Sequence, residues 1–235
     1  MNTMSTQALI ADTGPIFAAS DAVSKTELDT DVGYDVKELF FSRTDGRGVI
    51  EAYNEVFRRI SGYPGKELLA APHRLIRHSD MPKAVFWLLW DGLAQGAPVG
   101  AYVKNRTKDG KYYWVFAMVT PCGEGYLSMR LKPTSPLLGK VKALYNDLLQ
   151  AERDEGLKPA DSAARMLTRI RQLGFPTYAM FQAHAIHQEF EARRVALKRP
   201  ALPDLEHIDV IAQNAAALRQ ELVELEAKFS NAALL

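Results

Sequence analysis

The sequence has a single cysteine, Cys122, so an internal disulfide and a cysteine-based metal cluster are both excluded. Its apolar runs are short: the one from Ala84 to Trp90 is far below the roughly 18 residues that a membrane-spanning helix needs. The N-terminus lacks a basic region followed by an apolar core, so no secretion signal is predicted. We therefore expect a cytoplasmic protein without a membrane span.

The sequence also lacks a strong charge of either sign. The formal net charge is +1 over 235 residues, which predicts neither a nucleic-acid partner nor an anionic membrane partner. The shares of hydrophobic residues, 47%, and charged residues, 24%, are typical of a globular protein. There is no dinucleotide-binding glycine motif, P-loop, nucleophile elbow or kinase signature. We expect a protein that is not an enzyme and has no metal site.

Alternating apolar residues and turn motifs predict five antiparallel strands. Asp45-Gly46 separates two strand-like segments, 38–43 and 48–53, and Asp109-Gly110 turns a second hairpin. Both faces of the strand beginning at Tyr112 are apolar, so we expect this strand to be covered on both sides. In the last strand the alternation predicts an inner face and a solvent face, namely Leu127, Met129 and Leu131 inside and Ser128, Arg130 and Lys132 outside.

Two helices are predicted between the second and third strands. Asn54 is a suitable N-cap for a short helix that Gly62 can end. The second helix covers 81–95, with Pro82 in its first turn and Ser79 or Asp80 as its N-cap.

From about Lys140 the pattern becomes helical, with helices predicted over about 138–154, 160–173, 177–198 and 204–232. The last has a heptad pattern typical of either an intramolecular bundle or a coiled-coil dimer. Its apolar positions are Ile208, Ile211, Ala215, Leu218, Leu222, Leu225 and Phe229. The domains predicted are an N-terminal cap at 1–34, a sheet domain at 35–136 and a helical output or interaction region at 137–235.

The most informative stretch is "RLIRHSDMPKAVFWLLW", residues 74–90. Arg77, His78 and Asp80 stand directly before an aromatic run. One interpretation is ordinary chemistry at a helix N-terminus, with Asp80 as a cap and Arg77 in a surface ion pair. The other is a binding site for a ligand that is both flat and charged.

Four motifs in order resemble the PAS domain of bacterial aerotaxis receptors, over about residues 35–133. They are "YNEVFRRISGY", "PHRLIRHSDMPKAVFWLLW", "VKNRTKDGKYYWV" and "YLSMRLKP". The resemblance implies an α+β fold: the PAS fold, a five-stranded antiparallel sheet with flanking helices, here followed by an all-α region. It departs from the family pattern at Ser79, where many members have Pro, and at Val99 and Ala101.

In that family the pocket between sheet and helices holds FAD non-covalently. The matching positions in this chain are Asn54, Arg77, His78, Asp80, Phe86, Trp90 and Asn105. We infer their roles from the residue types: Arg77 can pair bidentately with the pyrophosphate or a nearby carboxylate, and Phe86 and Trp90, four residues apart on one helix face, can lie against the isoalloxazine. Asn105 can offer a donor and an acceptor to the polar edge of the flavin.

The function predicted is a sensor of redox state or oxygen that signals through its C-terminal helices to a protein partner, as a homodimer. Two alternatives remain open from the sequence. One is a haem-binding gas sensor with His73 or His78 as the axial ligand. The other is an interaction module without a cofactor, in which side chains fill the pocket and the helices mediate dimerisation.

Overall fold

The first two strands form a tight hairpin, and the turn chemistry explains why. Asp45 ends the first strand, and its side-chain Oδ1 accepts hydrogen bonds from the backbone N–H groups of Arg47 and Val49, both at 2.9 Å. Gly48 completes the turn at a φ of 77°, a left-handed conformation that glycine adopts without strain. The predicted hairpin at Asp45-Gly46 is confirmed.

The structure, a computed structural model, describes residues 27–200. Within them, a compact unit of strands and helices ends at Leu197. The predicted helix over 204–232, with its heptad pattern, and residues 1–26 of the predicted N-terminal cap lie outside the described residues. In chain order the elements are β1 (Leu39–Asp45), β2 (Ile50–Tyr53), α1 (Glu55–Ser61), α2 (Gly65–Leu68), a 3-10 turn (His73–Ile76), α3 (Lys83–Ala94), β3 (Val99–Arg106), β4 (Tyr112–Cys122), β5 (Gly125–Leu131), α4 (Leu137–Asp154), α5 (Pro159–Gln172) and α6 (Tyr178–Ala196).

The short helix α1 begins and ends as its sequence predicts. The Asn54 side chain accepts a hydrogen bond from the Phe57 N–H at 3.2 Å, which is the N-cap interaction. Gly62 ends the helix in the left-handed conformation, with its N–H donated to the Arg58 carbonyl.

Helix α3 does not begin as predicted, and the proposed caps were wrong. The residue at its N-cap position is Pro82, which makes no capping hydrogen bond through its side chain. Ser79 instead donates its backbone N–H to Glu27, and Asp80 pairs with Lys104. The N–H of Ala84 in the first turn is directed at Glu152 of α4, 3.4 Å away, so a carboxylate from another element takes over part of the capping.

All five strands pair antiparallel in the spatial order β2-β1-β5-β4-β3. This five-stranded antiparallel sheet is the predicted one. β4 lies between β5 and β3, and residues on both of its faces are buried, as expected. Along its neighbour β3, Tyr102 faces one side of the sheet while Val103 and Asn105 share the other. Below, the side that carries Val103 and Asn105 is called the inner face.

The predicted inside and outside of β5 were wrong. Ser128 and Arg130, expected in solvent, are only 5% and 4% exposed, whereas Leu127, expected inside, is 38% exposed. Leu131 is buried as expected, but it lies on the outer face, where helices cover the sheet. The alternation misled because the inner face of β5 borders a cavity with polar walls rather than a continuous apolar core.

Helices α4, α5 and α6 confirm the predicted helical character of this region and share one hydrophobic core with the sheet. On the outer face, the Tyr145 hydroxyl of α4 donates to the Tyr102 carbonyl at 3.0 Å. The buried Glu189 carboxylate of α6 accepts from the Tyr102 hydroxyl at 2.7 Å. Helix α5 packs against α3. The C-terminal helices therefore reach the sheet and the helix that form the two walls of the cavity.

Candidate functional site

A cavity of about 120 Å³ lies between the inner face of the sheet and helix α3. The segment 72–77 closes one side of it, and Arg47 and Gly48 of the first hairpin turn lie at another. Its walls are mostly apolar, with Phe86, Leu89, Trp90, Leu93, Val103, Ala117 and Val119 among the lining residues. A concave apolar cavity with a few inward polar groups is the usual form of a small-molecule site.

Arg77 lies in this cavity against an aromatic ring. Its guanidinium carbon is 3.8 Å from the centroid of the Phe86 ring, and Nη2 donates to the Met81 carbonyl at 3.3 Å. Burial lowers the pKa of Arg77 to about 10, and the Glu152 carboxylate partly opposes that effect. The side chain stays charged at neutral pH, so it contributes a positive charge to the cavity.

Trp90 forms another part of the aromatic wall of the cavity. Its ring meets the Tyr126 ring edge-to-face, with the centroids 5.4 Å apart. Gly48 lies directly behind it, since a Cβ at that position would come within 3.4 Å of the indole ring. Phe86 and Trp90 are one helical turn apart on α3, so both reach the cavity from the same helix face, as predicted.

Three polar side chains in the cavity have unpaired atoms. Among the described residues, Asn105 Nδ2, Ser128 Oγ and Arg130 Nη1 are buried and have no hydrogen-bond partner. The three residues are 2%, 5% and 4% exposed, so bulk water does not supply the missing partners. Unpaired buried polar atoms cost about 1–3 kcal/mol each, and buried polar groups in native proteins normally have a hydrogen-bond partner, so these three atoms are available to a bound ligand.

His73 and Arg130 form a contact at the floor of the cavity. Arg130 Nη2 lies 2.6 Å from His73 Nε2 and donates to the Ser42 hydroxyl at 2.9 Å. The His73 ring stacks on Phe57, with the centroids 5.8 Å apart. Burial, together with the Arg130 charge, holds the pKa of His73 well below its ordinary value, so the imidazole is neutral and accepts from Arg130.

The structure brings four of the seven predicted site residues into the cavity, namely Arg77, Phe86, Trp90 and Asn105. Asn54 lies away from it, because its side chain caps α1 and also bonds to the backbone of Leu39 and Phe41. His78 and Asp80 also lie outside the cavity lining.

These two residues belong to a polar cluster next to the start of α3. Asp80 Oδ2 lies 2.6 Å from Lys104 Nζ, and His78 Nδ1 accepts from the Asp80 N–H at 3.1 Å. The pKa of Asp80 is lowered because the Lys104 ammonium outweighs the opposing effect of burial. The two side chains therefore hold the segment before α3 in place.

The histidines proposed for haem are also located. His73 lines the cavity with its Nε2 engaged by Arg130, while His78 does not line it. Within residues 27–200, no group of three or more His, Cys, Asp or Glu side chains is arranged to hold a metal ion.

Sequence reasoning missed Ser128 and Arg130 as cavity residues and weighed His73 only as a haem ligand. The available signal for Arg130 was its position. It stands in the interior of a predicted strand, where an arginine must be either on a solvated face or in a site that needs its charge. Val99, one of the departures from the family pattern, packs behind the cavity wall with Leu89 and Leu93.

Comparison with known proteins agrees with this geometry. Residues 50–125 match the family model described as the PAS fold. That segment runs from the start of β2 to the start of β5. This part of the chain is a PAS domain.

The PAS domain is similar to part of two kinds of curated protein. It is 40% identical over 112 residues to the aerotaxis receptor of Escherichia coli strain K12, which covers 46% of this chain and 22% of the receptor. It is 34% identical over 80 residues to the nitrogen fixation regulatory protein of Klebsiella pneumoniae, covering 34% of this chain and 16% of that protein. The chain thus spans only about a fifth of the length of the receptor and a smaller share of the nitrogen fixation regulatory protein. The similarity concerns the PAS domain alone.

Two solved structures also align with this chain. One is the PAS domain of a protein from Colwellia psychrerythraea, with 18% identity and a TM-score of 0.37, covering 40% of this chain and 85% of that one. The other is the blue-light activated histidine kinase EL346 of Erythrobacter litoralis, with 11% identity and a TM-score of 0.39, covering 47% of this chain and 39% of that one.

None of the helices within residues 27–200 combines the length and the apolar character that a membrane crossing requires.

Proposed function

We propose that this PAS domain binds FAD non-covalently in the cavity between its sheet and α3, and that the protein reports redox state or oxygen to a protein partner. The protein passes this signal to its partner through the C-terminal helices and acts as a homodimer. In this proposal the protein is a sensor and not an enzyme.

One observation carries this proposal: three unpaired buried polar atoms, on Asn105, Ser128 and Arg130, converge on a cavity whose other walls are apolar and aromatic. A flavin fits such a donor set, because its ring is flat and apolar on both faces and carries carbonyl and nitrogen acceptors along one edge. The positive charge of Arg77 suits a ligand that also carries phosphates.

Each residue then has a definite task. Phe86 and Trp90 provide aromatic surface for a flat ring, and Asn105 provides a donor and an acceptor from the sheet. Arg77 provides the charge for an anionic group. When bound, the flavin supplies a ring that can be reduced and reoxidised reversibly, and nearby protein charges and hydrogen bonds tune that equilibrium.

The output path runs through β3. Val103 and Asn105 of this strand line the cavity, while Tyr102 on the opposite face bonds to α4 and α6. A change in the hydrogen bonding of Asn105 therefore acts on a strand that the C-terminal helices hold directly. A differential stabilisation of a few kcal/mol between two arrangements of these helices is enough for a switch.

The size of the cavity supports the alternative function, an interaction module without a cofactor. At about 120 Å³ it is smaller than the ~300–1,000 Å³ of typical ligand pockets, so FAD requires side chains at the mouth to move. The unpaired donors argue against this alternative, because a pocket evolved to be filled by side chains would pair or replace them.

The test is the absorption spectrum of the purified protein over the near-ultraviolet and visible range, in air and after dithionite. It is recorded before and after incubation with FAD, with the unbound FAD removed by gel filtration. Two flavin bands that bleach on reduction are expected, and Arg77→Ala and Trp90→Ala should release the flavin. Trp87→Ala is the matched control, because Trp87 lies on the same helix but does not line the cavity. A protein fraction without flavin bands, after incubation with excess FAD and removal of the unbound FAD, refutes the proposal, and a Soret band shifts it to haem.

A further inference from the structure

Arg130 is a buried cation without a buried anion beside it. It comes from β5, is 4% exposed, and reaches the cavity floor from the sheet. Its Nη2 donates hydrogen bonds to the Ser42 hydroxyl and to His73 Nε2, while Nη1 has no partner among the described residues. No Asp or Glu is among the cavity-lining residues of the described chain.

The neighbours of Arg130 do not neutralise its charge. His73 is an uncharged acceptor, because burial and Arg130 itself keep its pKa well below the ordinary value. Ser42 is uncharged, and the Phe57 ring, with its centroid 5.3 Å from the guanidinium carbon, offers only a weak cation–π contact. Burying a charge with such partial compensation is unfavourable unless another group supplies the missing anion or acceptor.

Ser128 adds a second hydrogen-bonding group from the same strand. It stands two residues before Arg130, so both side chains project from one face of β5. Its hydroxyl is buried and unpaired as well. Two adjacent unpaired groups, one of them a cation, form a site for an acceptor edge that carries negative charge.

We propose that Arg130, together with Ser128, selects the charge of the bound ligand, so that the cavity holds the reduced, anionic flavin more tightly than the neutral oxidised one. This inference rests on the proposed FAD binding. Reduction adds two electrons and one proton to the ring, which leaves a net charge of −1 on it; dithionite is the electron donor in the test below. Tighter binding of the reduced form means that Arg130 makes the bound flavin easier to reduce.

The experiment is a titration of the full-length apoprotein with FAD, once in air and once anaerobically with excess dithionite, to give two dissociation constants. Wild type is compared with Arg130→Met, which removes the charge at similar length, and with Arg130→Lys, which keeps it. Arg43→Met is the matched control, because Arg43 lies on the same sheet but pairs with Glu51 in a half-exposed position.

We expect wild type and Arg130→Lys to bind reduced FAD more tightly than oxidised FAD. In Arg130→Met the dissociation constant for reduced FAD should rise at least about tenfold more than that for oxidised FAD, which corresponds to about 1.4 kcal/mol. Arg43→Met should leave both constants unchanged. If Arg130→Met does not fold, judged by near-ultraviolet circular dichroism, Arg130→Gln provides the same loss of charge with a polar side chain.

The outcomes separate the two ideas. Failure of wild type to bind FAD in either state refutes the proposed function, and the role of Arg130 with it. If wild type binds but Arg130→Met weakens both states equally or neither, FAD binding stands and the charge selection is wrong. A readout without flavin adds to this: if the charge is unpaired in the apoprotein, apo Arg130→Met should melt at the same temperature as apo Arg130→Lys or higher, because it removes an unfavourable buried charge. A much lower value for Arg130→Met would show that the protein itself already satisfies the charge.

Discussion

Glu189 provides a direct test of how the C-terminal helices are held against the PAS domain. It is fully buried in α6, at 0% exposure. One carboxylate oxygen accepts from the Tyr102 hydroxyl at 2.7 Å and the Ser135 hydroxyl at 2.5 Å. The other accepts from the backbone N–H groups of Thr134 at 2.7 Å and Ser135 at 3.1 Å. One side chain thus joins α6, β3 and the segment between β5 and α4.

The magnitude follows from what Glu189→Ala leaves behind. The Tyr102 hydroxyl and the Ser135 N–H belong to buried residues, and each loses its acceptor at a cost of about 1–3 kcal/mol. Thr134 is exposed, so water can replace its partner. Removal of a buried charge recovers part of the desolvation penalty. We therefore expect the free energy of unfolding to fall by about 3 kcal/mol.

Glu189→Gln should cost much less, about 1 kcal/mol, because an amide can direct its oxygen to the two N–H groups. Its NH₂ group then faces the two hydroxyls, which can rotate to accept. Urea unfolding followed by circular dichroism measures both variants, and hydrogen exchange should show α6 losing protection first in Glu189→Ala.

Glu191→Ala is the control. Glu191 lies two residues further along α6, where it pairs with Arg194 near the surface, so its removal should change stability by less than about 0.5 kcal/mol. If Glu189→Ala costs no more than Glu191→Ala, the carboxylate does not hold the helix and the reasoning is refuted.

Two further predictions concern the PAS domain itself. Asn54→Ala should lower the free energy of unfolding by about 1 kcal/mol through loss of the α1 N-cap, while leaving FAD affinity unchanged because Asn54 lies away from the cavity. Urea unfolding measures the change in stability, and FAD titration measures the affinity. Weakened FAD binding at unchanged stability would contradict this assignment of Asn54. For His73 the lowered pKa means that the unfolded chain binds the proton more readily, so stability should fall as the pH drops below about 6.5, by up to about 1.4 kcal/mol per pH unit for this one group. His73→Gln, which keeps a neutral acceptor, should reduce that slope in urea unfolding at a series of pH values, and an unchanged slope would show that His73 is not responsible.

Much of the fold was predictable because local chemistry determines it. Asp45-Gly46 and Asp109-Gly110 specify their turns, and Asn54 and Gly62 specify the ends of α1. The start of α3 was not predictable in the same way, because its capping interaction comes from Glu152, far away in sequence. Suitable capping residues at Ser79 and Asp80 were available but are engaged elsewhere.

The candidate site was only partly predictable for a related reason. Residues that are neighbours in a sequence motif need not line the same cavity. Arg77 lines the cavity, whereas His78 and Asp80 of the same motif do not. For β5, period-two alternation separates two faces but does not say which one meets a binding cavity. The apolar set was taken as the inner one, and Arg130 was assigned to solvent for that reason.

The position of α6 limits how this protein can associate with others. An outermost β-strand normally offers free backbone groups onto which another chain can add a strand. At Gly100 of β3, those groups are already occupied, the N–H by Gln182 at 2.6 Å and the carbonyl by the Tyr178 hydroxyl at 3.4 Å. At the other margin, β2 is only four residues long. Within residues 27–200, a second copy or a partner is therefore expected to dock on side-chain surfaces and not by adding a strand to this sheet, and the same contacts protect the sheet from strand-to-strand aggregation.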